Sequence, residues 1–334
     1  MEDQSQSSGE RLRRAIEADE YDEAAACLRG IGPDADDRRA AIRTVRAAAA
    51  DDPAAMEPLL PAAVAFLTDD ERSVRLRTAK LFVTVARASP SAAAGCVDAL
   101  AERVADETEF YYVRARSAEA LGYVALEHPT EVASPELLAD LRIGLSFDEP
   151  EVKEKLAKAL AYVALGDPGR LRHQVDSLAD HTDDADELVR YHLCTALVAV
   201  GCAHPAALAD ADDGLRERLA DENPYVRGRA AEALALLTGS DEPVEAVPEV
   251  TGVDDATDAP SFLCDRVAFL RGRLDGETTE RVPDEVGTLE AVRSGTDDVV
   301  EEILSPAGDE ECPSCGLELP ENGPPMCPRC GSPH

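Results

Sequence analysis

The sequence predicts an all-α fold: an α-solenoid of about six helical-hairpin units, followed by a small C-terminal segment held by a metal. Three observations predict it. Five segments of similar sequence align without gaps at spacings of 39, 39, 37 and 37 residues. Apolar residues recur within each segment at helical intervals. The last 23 residues contain two Cys-x-x-Cys pairs.

Each repeated segment begins at a valine and closes at a proline. Apolar residues follow the valine by four or five, eight, and eleven or twelve positions, which is the periodicity of a helix. A second apolar stretch and an acidic turn join consecutive segments, so the unit is helix, short turn, helix, proline. Pro53 implies one further, degenerate unit upstream. The first valines of the regular segments are Val74, Val113, Val152, Val189 and Val226.

The repeated pattern is an acidic turn followed by V-R-x-x-A-A-x-A-L-x-x-L, and VRGRAAEALALL at 226–237 matches it almost throughout. It resembles the HEAT repeats, in particular the short HEAT-like repeats first described in phycobilisome lyases. The resemblance covers about residues 20–245 and implies the solenoid fold. Because arrays of this kind are mostly scaffolds, it favours a protein–protein interaction scaffold or adaptor.

Breaks in the repeat pattern divide the chain into four parts. Residues 1–20 are an N-terminal extension, 21–245 the repeat solenoid, 246–310 an acidic spacer with capping helices, and 311–334 a zinc ribbon. Within the spacer, SFLCDRVAFLRGRL is predicted to be a helix that covers the open end of the solenoid, as terminal units usually must. Its apolar residues for this purpose are Phe262, Val267, Leu270 and Leu274.

The chain is strongly acidic, with a formal net charge of −35 over 334 residues and only four lysines among 33 basic residues. This composition resembles proteins of extreme halophiles, and it opposes binding to nucleic acid or anionic membranes. No run of 18 apolar residues exists, and MEDQSQSSGERLRR lacks the apolar segment of a signal peptide. We expect a cytoplasmic protein that binds no membrane.

The sequence predicts no enzyme and no catalytic residue. Deoxyhypusine hydroxylase, a HEAT-repeat enzyme, holds iron on paired His-Glu steps, and this chain has no His-Glu dipeptide. No phosphate-binding glycine loop or nucleophile elbow is present. Two alternatives stay open: a bilin-lyase-like or other modifying enzyme on a HEAT scaffold, and a protein that associates with nucleic acid through the zinc ribbon.

The C-terminal tail has the spacing of a metal site, CxxC-x11-CxxC, formed by Cys312, Cys315, Cys327 and Cys330. It resembles a short zinc ribbon, and four thiolates suit one zinc ion; rubredoxin-like iron is the alternative metal. Four protein ligands leave no open coordination position, so the zinc is expected to be structural. Such ribbons often dock proteins or nucleic acid. Because Arg329 is the one basic residue here, nucleic acid is disfavoured, and we expect the ribbon to add a second docking contact for a protein.

Every regular unit carries two basic positions in its first helical turn after the valine. The first lies near the packed side of the helix: Arg75, Arg114, Lys153, Arg190 and Arg227. In HEAT proteins such residues form a ladder with acidic turn residues of neighbouring repeats. The resemblance therefore implies ion pairs with the acidic residues of the turns, Asp70, Asp148, Asp186 and Glu222.

The candidate partner site follows from the resemblance, which places the second helix of each unit on the concave side. Residues 3, 6, 10 and 13 positions after the valine point away from the apolar face. Basic residues exceed acidic ones there, and two tyrosines repeat 39 residues apart. This strip suits an acidic amphipathic helix or peptide, for instance in a signalling or taxis assembly. The alternative is that its cations pair with glutamates of neighbouring helices. The predicted site is Arg77, Lys80, Arg87, Arg116, Tyr123, Lys155, Lys158, Tyr162 and Arg229.

Overall fold

The computed structural model describes residues 8–239, 250, 260–275, 283 and 285–304, and every regular element in these ranges is a helix. Two helices, α1 (Ser8–Glu17) and α2 (Tyr21–Arg29), precede six long ones, each packed against the next. This stack confirms the predicted α-solenoid. The long helices are α3 (Ala35–Asp51), α5 (Arg72–Ala88), α8 (Tyr111–Ala125), α11 (Pro150–Gly166), α13 (Glu187–Ala203) and α15 (Pro224–Thr238).

Shorter helical segments connect consecutive long helices and pack against them. The sequence predicted one regular helix in each connection, whereas the structure has short α-helices interrupted by 3-10 turns. In the first connection, Pro58 lies inside a 3-10 turn and Pro61 near the start of an α-turn. A proline has no backbone N–H to continue a helix, which explains the interruption. The short α-helices are α4 (Leu60–Ala63), α6 (Pro90–Ala93), α7 (Val97–Ala105), α9 (Pro129–Val132), α10 (Pro135–Ile143), α12 (Val175–Ala179) and α14 (Asp212–Arg218).

The repeated prolines end the long helices. The helical region is sterically disfavoured for the residue before a proline, so helices usually end there. Four long helices are followed by such a residue, with φ between −136° and −152°. At the other end, Asp186 and Asn223 cap α13 and α15 by accepting hydrogen bonds from two backbone N–H groups each. The four residues before proline are Asp52, Ser89, Asp167 and His204.

A ladder of ion pairs joins the start of four long helices, α3, α5, α11 and α13, to the turn of the next unit. Arg75 and Arg190 each also donate to backbone carbonyls of the turn before their own helix. One side chain therefore links two successive turns. The pairs are Arg38–Asp69 at 2.6 Å, Arg75–Glu109 at 2.8 Å, Lys153–Asp184, and Arg190–Asp221 at 2.8 Å.

The ladder exists as predicted, but the acidic residues occupy other positions of the turns. Of the four predicted acids, Glu222 contributes a carboxylate, 3.6 Å from Arg190. Asp186 is instead the cap of α13. The unit that begins at Val113 also departs from the pattern, because Arg114 donates to the carbonyl of Val104 and lies over the ring of Phe147.

Two helices follow the repeats within the described ranges. The first is α16 (Ser261–Asp275), which packs on α15 at the end of the stack, as the sequence predicted. Val267 and Leu270 are buried and Phe262 packs over Gly228, whereas Leu274 is 46% exposed and does not contribute to the cover. The second is α17 (Leu289–Leu304), which contacts α13 and α11.

None of the helices in the described ranges combines the length and the apolar character needed to cross a membrane.

Candidate functional site

The predicted partner site lies on one surface of the long helices, which we call the long-helix face; it carries Arg87, Tyr123, Lys158 and Tyr162. A cavity of about 430 Å³ lies between this face and α17. Four basic and seven acidic residues line the cavity, so the excess of positive charge expected from the sequence is absent there. The lining apolar residues are Val83, Leu188, Val300 and Leu304, together with Tyr123.

The predicted site residues differ widely in exposure. Arg87 is exposed, whereas Arg77, Lys80, Arg116 and Lys155 are partly buried. The expectation that the other four face solvent is wrong. Neighbouring long helices pack side by side, and α16 and α17 lie over part of the face, so positions opposite the apolar core are also covered. These four are Tyr123, Lys158, Tyr162 and Arg229.

Lys158 stands at the centre of the buried part of the long-helix face. Its ammonium group donates to the hydroxyl of Tyr123 at 2.8 Å and lies 4.8 and 5.2 Å from the ring centroids of Tyr123 and Tyr162. Burial alone would lower the pKa of Lys158, but the nearby Tyr123, Glu119 and Asp297 raise it by more. The pKa of Lys158 therefore lies above its usual value. A charged ammonium group is therefore held between two aromatic rings.

Glu119 is the main counter-charge of this cluster. It accepts a hydrogen bond from Arg116 at 2.6 Å and lies 3.7 Å from Lys155 and 3.9 Å from Lys158. Burial raises the pKa of Glu119, but the positive charges of Lys155, Arg116 and Lys158 outweigh this effect and lower it to about 2. Lys155 also pairs with Glu154 at 2.7 Å. Pairing with a glutamate of a neighbouring helix, the alternative to partner binding, is therefore found for Lys155 and Lys158, whereas Arg116 pairs with a glutamate of its own helix.

Arg229 belongs to a second buried cluster at the end of the stack. Its guanidinium group donates to Glu232 at 2.8 Å and to the hydroxyl of Tyr191 at 3.2 Å. Helix α16 closes this cluster, since Arg266 donates to Glu232 at 2.9 Å and packs on the ring of Phe262. Arg229 is thus part of the internal seal between α15 and α16, and it offers no surface to a partner.

Helix α17 occupies the long-helix face with an amphipathic surface. Its buried side is Val292, Thr296, Val299 and Val300, at the spacing of one helical face. The helix carries five acidic residues and one arginine. It is therefore an acidic amphipathic helix, which is the kind of partner that the sequence predicted for this face.

Acidic side chains of α17 contact residues of the long helices. Asp297 accepts a short hydrogen bond from the hydroxyl of Tyr162 and lies 3.8 Å from Lys158. One turn later, Glu301 lies 3.5 Å from Arg87, and Glu302 accepts from the hydroxyl of Tyr225. Three of the predicted site residues, Arg87, Lys158 and Tyr162, thus contact an acidic helix from their own chain.

The turn that leads into α17 is fixed by backbone contacts. The amide of Gly287 donates to Glu232 at 3.0 Å, and its carbonyl lies 3.4 Å from the Cys202 sulfur at the end of α13. Gly287 has φ +79°, and an added Cβ would lie 2.7 Å from the ring of Phe269. Only glycine fits this position without strain. The turn before α17 is therefore anchored to both α15 and α13.

His192 lies on α13, in the floor of the long-helix face, and is fully buried. Neither ring nitrogen has a hydrogen-bond partner among the described residues, and Nε2 lies 3.9 Å from Glu154. Burial, reinforced by the positive charges of Lys158 and Lys155, lowers the pKa of His192 well below its usual value. A neutral imidazole is therefore enclosed beside two lysines.

Helix α17 was not predicted to be part of the site. The signal was present, because TLEAVRSGTDDVVEEIL has apolar residues at helical spacing beside several acids. It was assigned to the spacer since it lies outside the repeats. Glu154 was not predicted either, although it follows Lys153 directly. The predicted site took the residues 3, 6, 10 and 13 positions after each valine, and Glu154 lies two positions after Val152.

The four cysteines of the predicted zinc ribbon, Cys312, Cys315, Cys327 and Cys330, lie outside the described residues. Within the described ranges, no group of three His, Cys, Asp or Glu side chains is arranged to hold a metal ion. Zinc binding therefore stays a prediction from the cysteine spacing.

No protein-family model matches the sequence, and the comparison with curated proteins finds no match. Solved structures do match, and engineered proteins are among them. One is 21% identical with a TM-score of 0.63, covering 91% of this chain and 80% of that one. A designed armadillo repeat protein is 18% identical with a TM-score of 0.56, covering 68% and 99%. Another computationally designed armadillo repeat protein, described as made for modular peptide recognition, is 17% identical with a TM-score of 0.53, covering 67% and 98%. At these identities the likeness concerns the fold alone, which is a helical repeat solenoid.

Proposed function

We propose that this protein is a non-catalytic scaffold or adaptor whose long-helix face binds a partner protein through an acidic amphipathic helix or peptide. One observation carries the proposal: an acidic amphipathic helix, α17, already packs on this face through Arg87, Lys158 and Tyr162. A repeat solenoid presents an extended surface suited to such a ligand.

The chemistry of the face suits this ligand class in two ways. Lys158 and the tyrosines form a buried, cationic and aromatic anchor point for a carboxylate. Arg87, at the edge of the cavity, adds an exposed charge that attracts an approaching acidic segment. A similar fold has been designed for modular peptide recognition in another protein, which is consistent with this use of the solenoid.

The rest of the proposal comes from the sequence. One structural zinc ion in the C-terminal ribbon folds a small module that adds a second contact to the protein partner. The acidic composition fits a cytoplasmic protein of a salt-loving cell, with nucleic acid and membranes disfavoured as partners. A signalling or taxis assembly is a suitable setting for such an adaptor.

The experiment is capture of partners by the tagged full-length chain in molar salt, with identification by mass spectrometry. Three proteins are compared: the wild type, an Arg87→Glu, Arg116→Glu variant of the long-helix face, and an Arg13→Glu, Arg14→Glu variant. The last changes the net charge equally at exposed positions of α1. We expect the wild type and the α1 variant to capture the same protein and the face variant to lose it. Identical capture by all three would exclude the face as the binding site.

A further inference from the structure

Helix α17 has the properties of a ligand as well as those of a structural element. It follows the repeats without being one, and it packs on the side of α11 and α13 that carries the predicted partner site. Its contacts with Arg87, Tyr162 and Tyr225 are made by acidic side chains at least partly open to solvent. The helix is therefore held partly by apolar packing and partly by polar contacts that another helix can reproduce.

The two ends of α17 are attached differently. At its start, the Gly287 turn is bound to Glu232 and Cys202. At its end, Glu301 and Glu302 are exposed, and Leu304 is partly buried, packs against the core and borders the 430 Å³ cavity. The cavity leaves space beside this end. The C-terminal half of α17 carries the buried Val299 and Val300 and the acidic contacts of Asp297, Glu301 and Glu302, so it is the part whose contacts a partner helix must reproduce.

We propose that α17 is a resident occupant of the long-helix face and that a partner helix binds by displacing it. The inference rests on the proposed function. It also specifies the partner, which is a helix with β-branched residues at the spacing of Val292, Thr296 and Val299. One carboxylate of this helix reaches Lys158 and Tyr162, and a second, one turn later, reaches Arg87. Free chains hold the face closed, and only a ligand with this pattern opens it.

Tethering makes α17 a strong competitor. A segment of the same chain acts at an effective concentration of about millimolar, so a partner helix of equal intrinsic affinity is largely excluded at micromolar concentration. The apparent affinity of the partner is reduced by the fraction of chains in which α17 has left the face. A helix that binds in trans should therefore bind more tightly whenever α17 is weakened.

The test uses full-length protein and a fluorescent synthetic peptide with the sequence of residues 285–304. Two variants weaken α17 by different means. Val292→Asp, Val299→Asp places charge on its buried side, and Asp297→Lys, Glu301→Lys reverses the charges that face Lys158 and Arg87. The matched control is Glu290→Lys, Asp298→Lys, which makes the same change of net charge at exposed positions of α17. Circular dichroism melts check that the repeats stay folded, and amide exchange over 289–304 checks that α17 is released.

We expect the peptide to bind both weakened variants at least about tenfold more tightly than the wild type and the control, in keeping with the removed competition. A peptide in which Asp297 and Glu301 are replaced by lysine should show no such gain. If the valine variant fails to fold, the charge variant decides alone. Equal binding of the peptide to all proteins would overturn the displacement while leaving the proposed ligand class intact. Binding to none of them, with α17 released, would overturn both.

Discussion

The same arginine–glutamate pair occurs at the same repeat positions in two units, with different surroundings. Arg116 and Glu119 follow Val113 by three and six residues, and their side chains are 28% and 6% exposed at a separation of 2.6 Å. Arg229 and Glu232 follow Val226 in the same way, and both are completely buried at 2.8 Å. The first pair borders an open cavity, whereas α16 and the Gly287 turn seal the second.

The difference shows that repeat position does not decide what a residue does. The repeat fixes the contact between Arg and Glu, since both lie on one helix three residues apart. The segments that follow the repeats decide whether that contact faces a cavity or becomes part of the interior. In the middle of the stack the pair borders a cavity, and at the end it holds the solenoid to its cap.

Removal of the sealed carboxylate should have the largest effect. Glu232→Ala leaves Arg229 and Arg266 without their shared counter-charge and frees the Gly287 amide. Breaking a buried ion pair from one side costs about 3–5 kcal/mol of the free energy of unfolding. Urea denaturation at fixed salt measures it, with Glu119→Ala as the matched change in the open pair. Equal losses for the two variants would contradict the comparison.

The Arg116–Glu119 pair should make the free energy of unfolding depend on pH. The pKa of Glu119 is about 2 in the folded protein, below the usual 4.5, so its charge stabilises the fold above pH 4.5 and this contribution disappears as pH falls toward 2. A shift of this size corresponds to about 3 kcal/mol, of which roughly half or more is lost by pH 3. The difference in unfolding free energy between wild type and Glu119→Gln should shrink accordingly between pH 6 and 3. A constant difference would show that Glu119 is not held by its cations.

The glycine that joins α17 to the sealed cluster should matter at an intermediate level. Gly287→Ala requires an unfavourable backbone angle and a Cβ 2.7 Å from Phe269, at a cost of about 1–3 kcal/mol. We expect faster amide exchange over 289–304 with little change in α5 or α8. Gly295→Ala, which meets no atom within 4 Å, is the control. Unchanged exchange in the Gly287 variant would show that the turn does not anchor α17.

The exposed pair at the far end of α17 should contribute least among the ion pairs. Arg87 and Glu301 are 57% and 72% exposed, and such pairs contribute about 0–1 kcal/mol. Arg87→Ala should therefore leave the melting temperature almost unchanged while it reduces partner capture. A large loss of stability would show that Arg87 has a structural role and not a role in binding.

Metal removal should affect neither the Arg116–Glu119 pair nor the Arg229–Glu232 pair. The four tail cysteines predict one tightly bound zinc ion per chain, in a segment that folds on its own metal. Metal analysis of the purified protein should find one zinc ion, and chelation should leave the helical circular dichroism of the solenoid intact. Absence of metal, or loss of helix on chelation, would be inconsistent with an independent ribbon.

Much of the fold was predictable from the spacing of valines and prolines. Val113 and Val226 begin the packed faces of α8 and α15, and a proline after each of four long helices ends them through a local steric rule. The basic side of the ladder was predictable, since a basic residue follows each valine. Its acidic partners were not, because each lies in the next turn at a position set by loop geometry. Asp69 instead of Asp70 is such a case.

The exposure of the candidate site was not predictable in the same way. Helical geometry places Lys158 and Tyr162 opposite the apolar face of α11, but it does not show that α17 returns to cover them. That return depends on contacts more than a hundred residues apart in sequence. Arg229 was misplaced for the same reason, because α16 closes over it.

The cavity beside the end of α17 has a kinetic consequence if a partner helix displaces α17. It lies next to Leu304 and Leu188 and leaves room for an incoming helix. An incoming helix can settle there first and replace α17 one turn at a time, so the face is never empty during the exchange. The rate of assembly then rises with partner concentration instead of being limited by spontaneous opening. The tethered helix, for its part, shortens the lifetime of the complex by competing for each turn as it reopens.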